Sequence, residues 1–194
     1  MPSIEENNEN RLTEEERRLL LQLARDSIRH GVLYGKPLDV DLNKLPPSLR
    51  RIRATFVTLE EMGQLRGCIG SLEARRPLAE DVAQNAFAAA FRDPRFPPVT
   101  EQEVDKLEIH ISVLTPMQEI HFESRQDLLD QIRPGIDGLV LEEGPYRGTF
   151  LPAVWQSLPD KRDFLRHLKM KAGLPADYWS DTIRVWRYTT EVIE

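Results

Sequence analysis

The sequence predicts an α+β fold, with helices packed on a mostly antiparallel sheet. Three observations point there. Residues 54–59 and 65–70 are two strand-like runs close enough to form a hairpin. Leu107, Ile109, Ile111 and Val113 alternate with Glu108, His110 and Ser112, the pattern of a strand with one buried face. The helical stretches between such runs lack the strand–helix–strand rhythm of a doubly wound sheet.

In chain order, the leader MPSIEENNENR is polar and acidic. It predicts a flexible segment over residues 1–12, ahead of a single domain over 13–194. T-E-E-E from Thr13 is a helix start: a capping threonine, a glutamate three residues on, and acidic groups in the first turn. Leu19, Leu20, Leu23, Ala24, Ser27, Ile28 and Gly31 then recur at helical spacing, with Gly31 near the expected stop. Gly35, Pro37, Pro46 and Pro47 break the next stretch into loop, with room for a short helical turn around 47–52.

The hairpin follows, with E-E-M-G-Q as a loop of about five residues. Pro77 opens a helix rich in alanine that ends before D-P-R-F-P-P, because a proline disfavours helix at the residue before it. Beyond the 107–113 strand come a short helix over 124–132 and a second hairpin around E-E-G-P-Y-R-G. A helix over 160–172 then stops at Gly173, and a last strand spans T-I-R-V-W-R-Y-T.

The bulk composition narrows the function. The 194 residues carry 26 basic and 32 acidic side chains, a net charge of −6, which disfavours a general nucleic-acid binder. One cysteine excludes an internal disulfide and any thiolate-rich metal centre. No run reaches the ~20 apolar residues of a membrane span and no secretory leader is legible, so a cytoplasmic location is expected. His30, His110, His121 and His167 show no metal-ligand spacing, and no phosphate-binding glycine loop or nucleophile elbow is present.

The candidate site is L-R-G-C-I-G, residues 65–70. Strand alternation puts Arg66, Cys68 and Gly70 on one face, and Leu65, Gly67 and Ile69 on the other. A guanidinium beside a thiol stabilises thiolate, so Cys68 is a candidate catalytic nucleophile or ligand. Arg66, Gly67, Gly70, Asp93 and Arg95 are candidate substrate-binding groups, with Gly70 leaving room for substrate atoms. The alternative is structural. Free cysteine packs as a small hydrophobe, strand glycines mark close approach, and the alanine-rich helix offers a matching surface. Arg66 then needs only a carboxylate, for which Asp93 is a candidate.

F-V-T-L (56–59), L-R-G-C-I-G, D-P-R-F-P-P (93–98), I-S-V-L-T-P (111–116), G-L-V-L (138–141), F-L-P-A-V (150–154) and K-A-G-L-P (171–175) occur here in the order typical of the AMMECR domain family, which the chain resembles from about residue 15 to its end. Ala54 and Ala153 depart from the usual glycine and glutamine. The resemblance implies a larger and a smaller lobe, with the hexapeptide near the cleft between them. It also implies the AmmeMemoRadiSam setting: partnership with a Memo-type protein resembling extradiol dioxygenases and with a radical SAM protein. It implies no particular reaction or cofactor. Two functions stay open: a substrate-handling component using the hexapeptide, or a non-catalytic interaction module in which the hexapeptide is structural.

Overall fold

The structure is a computed structural model that describes residues 11–194. Most of the expected leader lies outside that range. Leu12, placed in the leader by its sequence, is instead buried with the core, and its N–H reaches the Glu191 carboxylate at 3.4 Å. The chain forms two compact units, one reaching to Leu114 and including Glu191–Glu194, the other Thr115–Thr190. Each holds a four-stranded sheet and helices, as the α+β expectation requires.

In the first unit, helix α1 spans Glu14–Tyr34. Its start is the anticipated capping box, in which Thr13 Oγ1 accepts the Glu16 N–H while Glu16 accepts the Thr13 N–H. It runs one turn past Gly31 and stops at Gly35, which takes the left-handed conformation at φ 69°. Gly31 is an interior contact: a Cβ there would lie 2.8 Å from the Phe87 ring. Helix α2, Leu78–Phe91, packs across α1 and onto the sheet through its alanines.

The first unit's sheet has the order β2-β1-β3-β8, from β1 (Thr55–Glu61), β2 (Gln64–Gly70), β3 (Glu108–Leu114) and β8 (Thr190–Ile193). Both β2 and β3 run antiparallel to β1. The hairpin turn is shorter than expected. Met62 and Gly63 alone form the tip, at φ 53° and 74°, the pair of positive values that matches strand twist. Thr55, Val57 and Leu59 face α2, with Ile109, Ile111 and Val113 beside them on β3. Phe56, Thr58, Glu60 and His110 form an outer face that is half-buried.

Under α2, Thr55 donates to Asp81 at 2.7 Å and Asn85 donates to Thr55 and Asp81, while Arg76 closes the cluster on Asp81 at 2.9 Å. Each buried polar group in that set has a partner, so the cluster fixes how α2 sits on β1. Helix α3, Glu101–Val104, is a single turn held by a Thr100/Glu103 capping box.

The second unit has the order β4-β7-β5-β6, from β4 (Gln118–Ile120), β5 (Gly138–Glu143), β6 (Tyr146–Phe150) and β7 (Arg184–Tyr188). Helices α4 (Arg125–Gln131) and α5 (Lys161–Ala172) start on the side-chain caps Ser124 and Asp160. The Trp155 ring stacks on Phe164 at 3.7 Å, and its indole N–H satisfies the buried Asp137 carbonyl. Among the described residues, no helix is long and apolar enough to cross a membrane.

Candidate functional site

The hexapeptide occupies β2, the edge strand of the first sheet. Leu59 pairs with Gly67 but its neighbour Glu60 pairs with Leu65, so Arg66 is the extra residue of a β-bulge. The bulge breaks the alternation expected from sequence. Leu65 moves to the side of Glu60, and Arg66 is not simply a same-face neighbour of Cys68. Its guanidinium is committed elsewhere: Nε and Nη2 donate to the two Glu103 oxygens at 3.1 and 3.3 Å. Glu103, on α3, therefore takes the partner role expected of Asp93. The arginine side chain is only 12% exposed, and that pairing holds the Glu103 carboxyl below its ordinary range.

Gly67 is buried against α2. A Cβ there would lie 3.0 Å from the Ala89 carbonyl carbon and closer still to its oxygen. Gly70 is similarly closed, since an added Cβ would come 2.5 Å from the Phe56 ring. Packing accounts for both glycines, and neither leaves room for substrate atoms beside its Cα. Cys68 is on the other side of the strand, half-buried on the outer face. The Thr58 hydroxyl, directly across the hairpin, lies 3.3 Å from its sulfur.

Asp93 and Arg95 do come to Cys68. D-P-R-F-P-P ends α2 and turns the chain back along β2. There Asp93 Oδ2 accepts the Cys68 N–H at 3.0 Å, capping a backbone donor of the edge strand. The same oxygen accepts Arg95 Nη2 at 2.7 Å, while Oδ1 accepts Arg95 Nε at 3.0 Å. Asp93 is buried, and the Arg95 hydrogen bonds, outweighing burial, hold its carboxyl well below the usual carboxylate range. The Arg95 side chain remains 55% exposed, and its guanidinium lies over the Phe96 ring at 5.4 Å. Cys68 and Thr58 on the outer face, and Arg95 beside the strand, each keep part of their surface exposed.

A second constellation on the same face was not legible in the spacing of histidines. Glu60, Glu108 and His110 place three potential metal-ligand atoms within 4.8 Å of one another. The available signal was strand periodicity. Glu108 and His110 are two apart on β3, and Glu60 pairs across from Glu108. His121, on the second unit, does not enter this cluster.

Residues 21–193 match the AMMECR1 family model. The chain is 40% identical over 187 residues to a protein of Methanothermobacter thermautotrophicus, covering 93% of this chain and 95% of the relative. It is 37% identical over 191 residues to protein MJ0810 of Methanocaldococcus jannaschii, covering 94% and 92%. Among solved structures it is similar to the uncharacterized protein PH0010 from Pyrococcus horikoshii, with a TM-score of 0.84 at 36% identity, covering 93% and 92% of the two chains. With one family model matching from residue 21 to residue 193 and relatives of full length at this identity, the chain belongs to the AMMECR1 family.

Proposed function

We propose that this protein is a substrate-handling component that binds a small molecule against the outer face of β2. The pathway it serves would be shared with a Memo-type protein and a radical SAM protein, the partners its family resemblance implies. Arg95 holds an anionic group of the substrate, and Cys68 is the nucleophile or ligand beside it. Arg66, Gly67 and Gly70 are the frame that fixes the strand.

A single observation carries this reading. One oxygen of the buried Asp93 holds both the Cys68 backbone N–H and the exposed Arg95 guanidinium, so one carboxylate ties a cation to the strand that carries the half-buried cysteine. A buried carboxylate that orients an exposed cation in this way is a costly arrangement for a turn that only needs to end a helix.

The experiment is the rate of Cys68 modification by a thiol reagent from pH 5 to 9, in native and denatured protein. With one cysteine in the chain, the signal is unambiguous. Native labelling is expected throughout the range. Arg95→Ala is expected to lower the rate near neutral pH by several-fold, because a neighbouring cation favours the reactive thiolate. A native protein that labels only on unfolding would sink the proposal. The interaction-module alternative would then stand, and the contact of Gly67 with the Ala89 backbone favours it.

A further inference from the structure

The geometry points to a divalent transition-metal site on the outer face of the first sheet, with His110 Nε2, Glu60 and Glu108 as ligands. Strand pairing builds the set. Glu60 and Glu108 are directly opposed on β1 and β3, and His110 follows two residues on, on the same face. Like charges opposed across a strand pair are destabilising unless something neutralises them. Among the described residues, neither carboxylate has an ion pair with a lysine or arginine. A doubly charged cation would balance the two carboxylates.

The histidine supplies the second, independent observation. Its Nδ1 lies 2.9 Å from Glu194 Oε2. With Nδ1 turned to that carboxylate, Nε2 is the ring nitrogen left to face Glu60. That Nε2 is shielded from solvent and has no hydrogen-bond partner among the described residues. The Glu60 carboxylate oxygen stands 3.5 Å away. Two ligand atoms about 2.1 Å from a tetrahedral metal lie roughly 3.4 Å apart, so this pair already has the separation a metal requires. Glu108, within the 4.8 Å span of the set and exposed, closes the remainder by a rotamer adjustment.

Carboxylate–histidine–metal is the usual outer-shell arrangement, in which the carboxylate fixes the tautomer and raises the basicity of the ligating nitrogen. One imidazole and two carboxylates make a nitrogen–oxygen donor set suited to Zn²⁺ or Mn²⁺, and they leave coordination positions open. Glu108, His110 and Glu194 also line a groove of about 680 Å³ with Arg18, Gln22 and Arg25. Cys68 takes no part. It lies two strands from His110, roughly 10 Å across the sheet at the usual strand spacing.

The test is equilibrium dialysis of the full chain against Zn²⁺ and, separately, Mn²⁺, with metal counted per protein and thermal melts on the same samples. One ion per chain and a raised Tm are expected for at least one metal. Cys68→Ser must leave uptake unchanged, which also separates this site from the thiol proposal. Glu60→Gln, Glu108→Gln and His110→Ala should each weaken binding by at least tenfold. Glu194→Gln should weaken it by about 10- to 100-fold, as loss of a partner behind a ligand does. Glu60→Gln is also expected to match or exceed the metal-free wild-type Tm, because it relieves the opposed charges. Lost uptake in that variant therefore cannot be ascribed to unfolding. Failure to take up either metal would overturn the inference, leaving His110 as an ion-pair bridge among carboxylates. Uptake that survives the Glu60→Gln/Glu108→Gln double variant would overturn it as well.

Discussion

Replacing Gly67 with alanine isolates the contact on which the first unit turns. The new methyl would point at the Ala89 peptide, 3.0 Å from the carbonyl carbon and nearer to its oxygen. Ordinary carbon contacts lie at about 3.5–4.0 Å, so α2 and β2 must separate by most of an ångström or β2 must twist. Both are pinned. The strand is held by the Asp93 bond to Cys68, and the helix by the buried Thr55–Asp81–Asn85 cluster. Overpacking a rigid interior costs about 1–3 kcal/mol, and backbone that cannot rotate away puts this case at the upper end. At 2–4 °C per kcal/mol for a chain this size, Tm should fall by roughly 6–12 °C.

The assay is thermal and urea unfolding followed by more than one probe, since two compact units need not melt together. Gly63→Ala is the control. Its φ of 74° makes alanine strained, but nothing lies within 4 Å of the added methyl, so a loss of about 1–2 kcal/mol is expected. A Gly67→Ala protein within about 0.5 kcal/mol of wild type would refute the packing account of the glycine and return it to the list of ligand-binding positions.

Asp93 makes the first unit sensitive to acid. Its native carboxyl titrates below the ordinary value, so the stability it contributes is complete above about pH 4 and is lost as pH falls toward the native value. Asp93→Asn should cost about 1.5–3 kcal/mol at pH 7 and flatten that acid slope; an unchanged slope in denaturant melts from pH 2 to 6 would contradict the assignment. In the second unit, Lys169 is buried, donates to the Tyr178 carbonyl at 2.9 Å, and has its ammonium pushed down mainly by burial. Between the lowered and the ordinary lysine values the unfolded chain holds a proton the native one lacks, so stability should rise with pH there. Lys169→Met is expected to remove that rise and to change stability at neutral pH by no more than about 1 kcal/mol, because lost desolvation offsets one lost hydrogen bond.

Helix starts, the stop at Gly173, the two hairpins and the alternating strand were legible because each is a short-range rule, whereas the first helix runs past Gly31 to Gly35. Thr13 and Glu16 cap within one turn, Gly173 stops its helix at φ 98°, and β3 repeats with period two. The short strands β4 and β8, at three and four residues, carry no such signal and form only where a partner strand accepts them. The site divides in the same way. Sequence alone singled out Cys68, Asp93 and Arg95, and the structure brings those three together through one carboxylate.

What only the tertiary structure decided was where the other groups go. The bulge at Arg66 shifts register by one residue, and with it the identity of the arginine's partner, Glu103 in place of Asp93. The helix crossing that seats Ala89 on Gly67, and the pairing that sets Glu60 beside Glu108 and His110, likewise join residues far apart in the chain. Local pattern determines which face a residue occupies. Its neighbours on that face are chosen by the packing of whole elements, a sum over distant contacts that no short window of sequence contains.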